Sequence, residues 1–198
     1  MTIFLFWNLN RKPLEKALSN LAGEHEVDVL MLAECAIPPA TMLNVLNRGE
    51  TAAFHFCSSP QHKLAIYARF NRRHLEAVAE RRYYTIRRLK LPDRPEIILV
   101  VTHFPSKRNW NEGSQAAECR ELAAEIRRAE ESSGHARTIL VGDLNMNPFE
   151  SGMVAANGLN AVMTRALALR RTRMVQARRY PFFYNPMWGY FGDVTGSP

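Results

Sequence analysis

The 198-residue chain is 46% hydrophobic, enough apolar material for a domain with a sizeable core, which excludes a disordered majority. A formal net charge of +7 and a sequence pI near 9.7 favour an anionic partner, nucleic acid first and an acidic membrane surface second. Cys35, Cys57 and Cys119 are odd in number and form no CxxC pair, which argues against a disulfide framework and a zinc site and fits a reducing, cytoplasmic setting.

The first predicted element is a buried strand from Thr2 to Asn8. It carries neither a basic leader nor a small-residue cleavage pattern, and no apolar run in the chain approaches the roughly 20 residues that span a bilayer. No signal peptide and no stable membrane association are therefore expected. Asn10 is placed to cap a helix with Pro13 in its first turn, Leu14, Ala17, Leu18 and Leu21 on one face, and Gly23 as its stop. Next, V-D-V-L-M-L-A-E forms a second strand ending at Glu34. A Pro-led helix near Pro38 to Asn47 follows, then shorter strands. K-L-A-I-Y-A-R-F is the clearest of these, Tyr83 to Leu91 is another, and Pro92 to Pro95 has the chemistry of a hairpin loop.

The strand, helix, strand plan then repeats. E-I-I-L-V-V-T-H ends at His103. Ala116, Cys119, Leu122, Ala123 and Ile126 mark the buried stripe of a helix capped by Asn111 or Ser114, and T-I-L-V-G-D ends at Asp143. Gly142 lets another backbone pass closely, and Pro148 opens a further helix. No linker or low-complexity segment divides the chain, so residues 1–198 read as one domain. Beyond Asn157, Arg165, Arg170, Arg171, Arg173, Arg178 and Arg179 come without an acidic residue among them, followed by Tyr180, Phe182, Phe183, Tyr184, Trp188, Tyr190 and Phe191. Two readings stay open for this stretch. One is phosphate contacts beside stacking platforms, with Trp188 or Phe191 meeting a base; the other is a solvated basic helix leading into an aromatic core strand.

The polar residues at the strand ends carry the chemistry. In an extended segment Asp143 and Asn145 share a face roughly 7 Å apart. The carboxylate can orient or deprotonate a water there, while the amide donates to a phosphoryl oxygen. Glu34 leaves its strand on the side of Leu32 and offers a hard oxygen suited to magnesium, with an ordinary salt bridge to arginine as the alternative. His103 can hydrogen-bond a phosphoryl oxygen and Lys107, in the following F-P-S-K, can add a point charge; a satisfied core histidine is the plainer reading.

Taken in order, Asn8 in F-W-N-L-N, Glu34 in V-L-M-L-A-E, His103 in T-H-F-P-S-K, Arg120 in the next helix, and Asp143 with Asn145 in G-D-L-N resemble the endonuclease/exonuclease/phosphatase (DNase I-like) superfamily over residues 2 to about 150. The resemblance implies an α+β fold, a four-layer αββα sandwich of two mixed β-sheets flanked by helices. It implies a hydrolase of phosphodiester bonds in nucleic acid, DNA foremost, that uses Mg2+ or else Mn2+. Glu34 would bind the metal, with Asn8 close to metal and phosphate. Asp143 would orient the attacking water, Asn145 and His103 would hold the phosphoryl oxygens, and Arg120 would meet the substrate. A phospholipid or inositol phosphate hydrolase and a nucleic-acid-binding module without turnover are the alternatives. The family pattern closes on a C-terminal Ser-Asp-His station, whereas no histidine follows His135 here and Val194 stands after Gly192 and Asp193. A chain shortened before its last strands is the expectation.

Overall fold

The computed structural model describes residues 1–49, 53–58 and 63–190. In chain order its elements are β1 (Phe4–Asn8), α1 (Glu15–Glu24), β2 (Val29–Ala33), α2 (Pro39–Leu46), β3 (His55–Phe56), β4 (Leu64–Ala68), β5 (Leu75–Glu80), β6 (Tyr84–Leu89), β7 (Ile97–His103), α3 (Glu112–Ser133), β8 (Thr138–Asp143), α4 (Ser151–Val154), β9 (Ala161–Val162), α5 (Arg165–Ala168), β10 (Thr172–Val175), β11 (Arg178–Pro181) and β12 (Phe183–Tyr184). Short 3-10 turns lie at Arg72–His74 and Pro186–Tyr190. The chain divides into two compact units, Met1–Phe104 with Ala129–Leu144, and Pro105–Arg128 with Asn145–Pro198.

The first unit contains two four-stranded sheets, β1-β2-β4-β3 and β5-β6-β7-β8. Parallel neighbours need a crossover connection, and α1 and α3 supply it, so β1 pairs parallel with β2 and β7 with β8, while β3–β4, β5–β6 and β6–β7, which follow one another in sequence, and β2–β4 pair antiparallel. Both sheets are therefore mixed. Their inner faces meet through Val29, Met31, Leu64 and Ile66 on one side and Leu75, Leu89, Leu99 and Val101 on the other. Each aliphatic side chain fully withdrawn from water there contributes roughly 1.5–3 kcal/mol. The opposite face of the first sheet, Leu30, Leu32 and Tyr67, is covered by Leu18 and Ala22 of α1 and Met42 and Leu46 of α2. Covered on both sides, β2 is buried along its whole length and reads as a continuous apolar run. On the second sheet the last turn of α3 takes hydrogen bonds from Arg88 of β6, Nε to Ser133 Oγ at 3.0 Å and Nη2 to Ser132 Oγ at 2.7 Å. The expected sandwich of helices outside two mixed sheets is what the chain forms.

In the second unit β10 pairs antiparallel with β11, and β9 pairs parallel with β12. All three cysteines are free thiols, and burial pushes Cys119 up to about 12. Among the described residues no helix is long and apolar enough to cross a membrane.

Several boundaries differ from expectation. Asn10 does not cap α1: it sits at φ 46° with its N–H on its neighbour Asn8 Oδ1, and the helix starts three residues beyond Lys12, after Leu14, without a side-chain cap. Gly23 lies inside the helix, which ends at Glu24 with His25 as its C-cap, and the turn is made by Glu26 at φ 49°. Asn111, not Ser114, caps α3, accepting from Ser114 N at 2.8 Å. Pro148 opens no helix, because Asn147 bonds forward to Phe149 N and Glu150 N in a turn, and α4 begins only at Ser151. The basic stretch is not one helix; the single turn α5 gives way to the β10–β11 hairpin.

Candidate active site

Period-2 alternation decides which strand-end residues can meet. Asn8 has the parity of Phe4 and Phe6, His103 that of Leu99 and Val101, and Asp143 that of Val141, all of which pack in the core between the sheets. The parallel registers pair Asn8 with Ala33 and His103 with Asp143, so the chemistry-bearing ends lie at the same edge of each sheet. Across that edge Asn8 Nδ2 donates to Asp143 Oδ2 at 2.9 Å. His103 Nε2 lies 3.3 Å from Glu34 Oε1, with the histidine side chain 16% and the glutamate 33% exposed.

Glu34 reaches that position by breaking the alternation. It follows the last residue of β2 and adopts φ 47°, which turns it toward His103 of the opposite sheet and away from the helix-covered side where Leu32 packs. The expectation that Glu34 shares the side of Leu32 fails, because strand parity ends at Ala33. A left-handed backbone costs a non-glycine residue roughly 1–2 kcal/mol. The adjoining loop holds it in place: Leu9 N donates to Ala33 O and Arg11 N to Glu34 O, both at 3.0 Å. Such conformations persist where surrounding structure over-determines them, and they cluster at functional sites.

His103 is fixed by its backbone as well. Its N–H donates to Tyr83 O at 2.8 Å, and Thr102 Oγ1 donates to the same carbonyl at 3.1 Å. Tyr83 stands in the β5–β6 turn with the Arg82 guanidinium 5.2 Å from its ring centroid. The sequence reading missed Tyr83. Its signal was the run R-R-Y-Y between two strand patterns, a turn that antiparallel pairing returns to the His103 end of β7. Gly142 does admit a close backbone: a Cβ there would lie 2.0 Å from Thr102 O.

The remaining predicted residues belong to the second unit. Asn145 is not in an extended segment, since β8 ends at Asp143 and Asn145 adopts φ 52°. The shared-face argument for Asp143 and Asn145 therefore does not hold. The Asn145 carbonyl accepts from Gln115 Nε2 at 3.0 Å, and that amide also donates to Pro105 O at 3.1 Å. Lys107 is ion-paired with Glu150, so its ammonium is not an open point charge. Burial alone would raise the Glu150 carboxyl; the Lys107 ammonium and the Asn147 N–H outweigh it and hold the group below its ordinary value. Arg120 is exposed on α3 with no ion pair among the described residues. Trp188 falls in the Pro186–Tyr190 turn, its side chain outside the described residues, as are Phe191, Gly192, Asp193 and Val194 entirely.

The structure thus brings together Asn8, Glu34, His103 and Asp143. Among the described residues no three His, Cys, Asp or Glu side chains form a metal cage. The donors at the strand ends are instead the hard carboxylate oxygens of Glu34 and Asp143 and the amide oxygen of Asn8, with Glu34 partly open to solvent. That set fits a small hard cation that takes one or two carboxylates and fills its shell with water and substrate oxygens.

The sequence model of the Endonuclease/Exonuclease/phosphatase family matches residues 5–196. Enzymes of that family are phosphoric ester hydrolases and generally use divalent metal ions. No curated protein sequence matches this chain significantly. Among solved structures, TDP2 from Caenorhabditis elegans superposes with a TM-score of 0.55 at 16% identity over 75% of this chain and 48% of that one. A humanized D. rerio TDP2 gives 0.52 at 18% identity over 77% and 65%. D. rerio TDP2 complexed with single-strand DNA product gives 0.51 at 17% identity over 75% and 62%. The chain therefore spans less than two thirds of the length of each, and at these identities the likeness is one of fold.

Proposed function

Because the chain belongs to the endonuclease/exonuclease/phosphatase family, we propose that it is a Mg2+-dependent phosphodiesterase acting on nucleic acid, with DNA as the leading substrate. The observation that carries the reading is the pair of contacts between the sheets, Asn8 with Asp143 and Glu34 with His103, which gathers one carboxylate suited to a metal and another suited to a water. Net charge of +7 supports a polyanionic substrate, and the D. rerio relative bound to single-strand DNA product supports nucleic acid.

Glu34 and Asn8 would hold the magnesium ion, which when bound supplies Lewis-acid polarisation of a phosphoryl oxygen. Asp143 orients the attacking water and accepts its proton. The Asn8 amide bond to Asp143 Oδ2 holds the carboxylate plane for that work. His103 donates to a phosphoryl oxygen as negative charge builds there, its backbone placed by the bond to Tyr83 O and its ring lying against Glu34.

The test is cleavage of labelled DNA, RNA and abasic oligonucleotides with added Mg2+. Turnover that EDTA abolishes, and that Asp143→Asn removes while the thermal transition is retained, is the expected result. Undiminished cleavage by Asp143→Asn would sink the assignment.

A further inference from the structure

Between Ser151 and Tyr190 the chain carries six arginines and no aspartate, glutamate or lysine. Three of them, Arg173, Arg178 and Arg179, lie on one two-stranded ribbon, and Arg170 and Arg171 lead directly into it. In β10–β11, Thr172 pairs with Pro181, Arg173 with Tyr180, Met174 with Arg179 and Val175 with Arg178. The turn residues Gln176 and Ala177 have φ of 47° and 60°, the left-handed pair that matches the twist of a tight hairpin. The base is pinned from inside. Asn160, 1% exposed, donates from Nδ2 to Tyr180 O at 3.2 Å and Pro181 O at 2.7 Å. Arg173 Nη2 donates to Val154 O at 2.8 Å, and Phe182 N to Arg171 O at 2.9 Å.

What is left outside is unusual for a structural hairpin. Arg170, Arg171, Arg178 and Arg179 are exposed and have no acidic partner among the described residues. Leu169 is 79% and Met174 59% exposed beside them. Arg178 and Arg179 on the ribbon and Arg170 and Arg171 leading into it are four like charges whose mutual repulsion a bound polyanion would relieve. A two-stranded ribbon matches the width of the major groove, and guanidinium forks match phosphate oxygens. A bilayer is the poorer match, since the turn at the tip is Gln176–Ala177 and the exposed Met174 and Val175 beside it alternate to opposite faces of the ribbon, giving no single apolar face to enter lipid.

We infer that β10–β11, with the Arg170–Arg171 segment leading into it, is an arm that lies along double-helical nucleic acid, with Arg170, Arg171, Arg178 and Arg179 on phosphates and Met174 against the groove. The inference deepens the nucleic-acid reading above and rests on it for the partner, while its readout is binding and needs no turnover. The experiment compares the whole protein with an Arg170→Gln, Arg171→Gln, Arg178→Gln, Arg179→Gln variant, measuring duplex DNA binding by fluorescence anisotropy from 50 to 200 mM salt. Losing about four phosphate contacts lowers the slope of log affinity against log salt by about 3.6 and the affinity by on the order of 100-fold or more near physiological salt. Turnover of a small chromogenic phosphodiester with Mg2+ stays equal in the two proteins. Equal salt slopes for the two would overturn the arm. So would loss of binding to phosphatidylserine vesicles with duplex binding intact, which would assign the ribbon to a membrane. Absence of small-ester turnover in both, with the slope change present, would strike the hydrolase reading and leave the arm standing.

Discussion

Asn8 donates its side-chain amide hydrogen to Asp143 Oδ2 at 2.9 Å, joining two strand ends that lie 135 positions apart in the chain. One carboxylate oxygen is thereby occupied and the carboxylate plane is set. Asn8→Ala removes the donor, so kcat should fall roughly 10- to 100-fold with a stability loss of about 1 kcal/mol. Asp143→Asn should cost on the order of 10²–10⁴ in rate, the usual contribution of a general base. Steady-state kinetics beside thermal melts of both variants checks the pair, and equal rates for wild type and Asn8→Ala would contradict the orienting role.

Three of the four gathered residues were legible because strand alternation is a strict rule of the backbone. Asn8, His103 and Asp143 each end an apolar strand on the core side, and the sheets bring those sides together. Glu34 was found by type and place, but its direction was misread. A positive φ one residue past β2 is set by hydrogen bonds from Leu9 and Arg11, which no local pattern reveals. Asn145 failed for a related reason, since β8 ends at Asp143 as expected but the chain does not stay extended beyond it, and Asn145 turns to φ 52°. Tyr83 escaped because its role belongs to its backbone carbonyl, and side-chain identity says nothing about that. The β10–β11 hairpin was hidden by composition: its arginines, Met174, Gln176 and Ala177 are good helix formers, and the turn lacks the usual Asn-Gly signal.

Glu34 sits at φ 47°, and asparagine tolerates that region better than glutamate does. Glu34→Asn should therefore hold or slightly raise stability, by up to about 1 kcal/mol, while shortening the metal-binding reach. The Mg2+ concentration for half-maximal turnover should rise at least about 10-fold. Calorimetric melting and a magnesium titration of activity read the two effects separately. A variant both less stable and unchanged in its metal requirement would show that Glu34 serves the fold alone.

Gly142 has φ 153°, and a Cβ there would fall 2.0 Å from Thr102 O, 2.8 Å from Thr102 C and 2.8 Å from Thr102 Cγ2. A backbone carbonyl inside a parallel ladder cannot step aside without breaking the β7–β8 register. Gly142→Ala should cost about 3 kcal/mol or more, or prevent folding. Urea denaturation measures it, with Gly23→Ala as control. Nothing lies within 4 Å of a Cβ at Gly23, and alanine inside α1 should stabilise by roughly 0.5–1 kcal/mol.

Acid stability has an identifiable source in Glu96 and Glu150. Burial alone would raise both carboxyls. At Glu96 the Lys90 ammonium at 3.4 Å and His135 at 3.2 Å outweigh it, as Lys107 does at Glu150, so both groups lie below their ordinary value of 4.5 in the folded chain. A carboxyl depressed by folding binds its proton more weakly in the native than in the unfolded state. Its stabilisation is complete above the unfolded value near 4.5 and disappears as pH falls through the lower folded value. The melting temperature should hold from neutral pH down to about 5 and then drop through the acid range. Replacing both carboxyls, Glu96→Gln with Glu150→Gln, should lower the plateau at neutral pH and flatten that acid limb, because the unfolded state then gains fewer protons relative to the native one. Melts from pH 3 to 7 on both proteins decide the matter, and parallel curves would show that other carboxylates govern the acid transition.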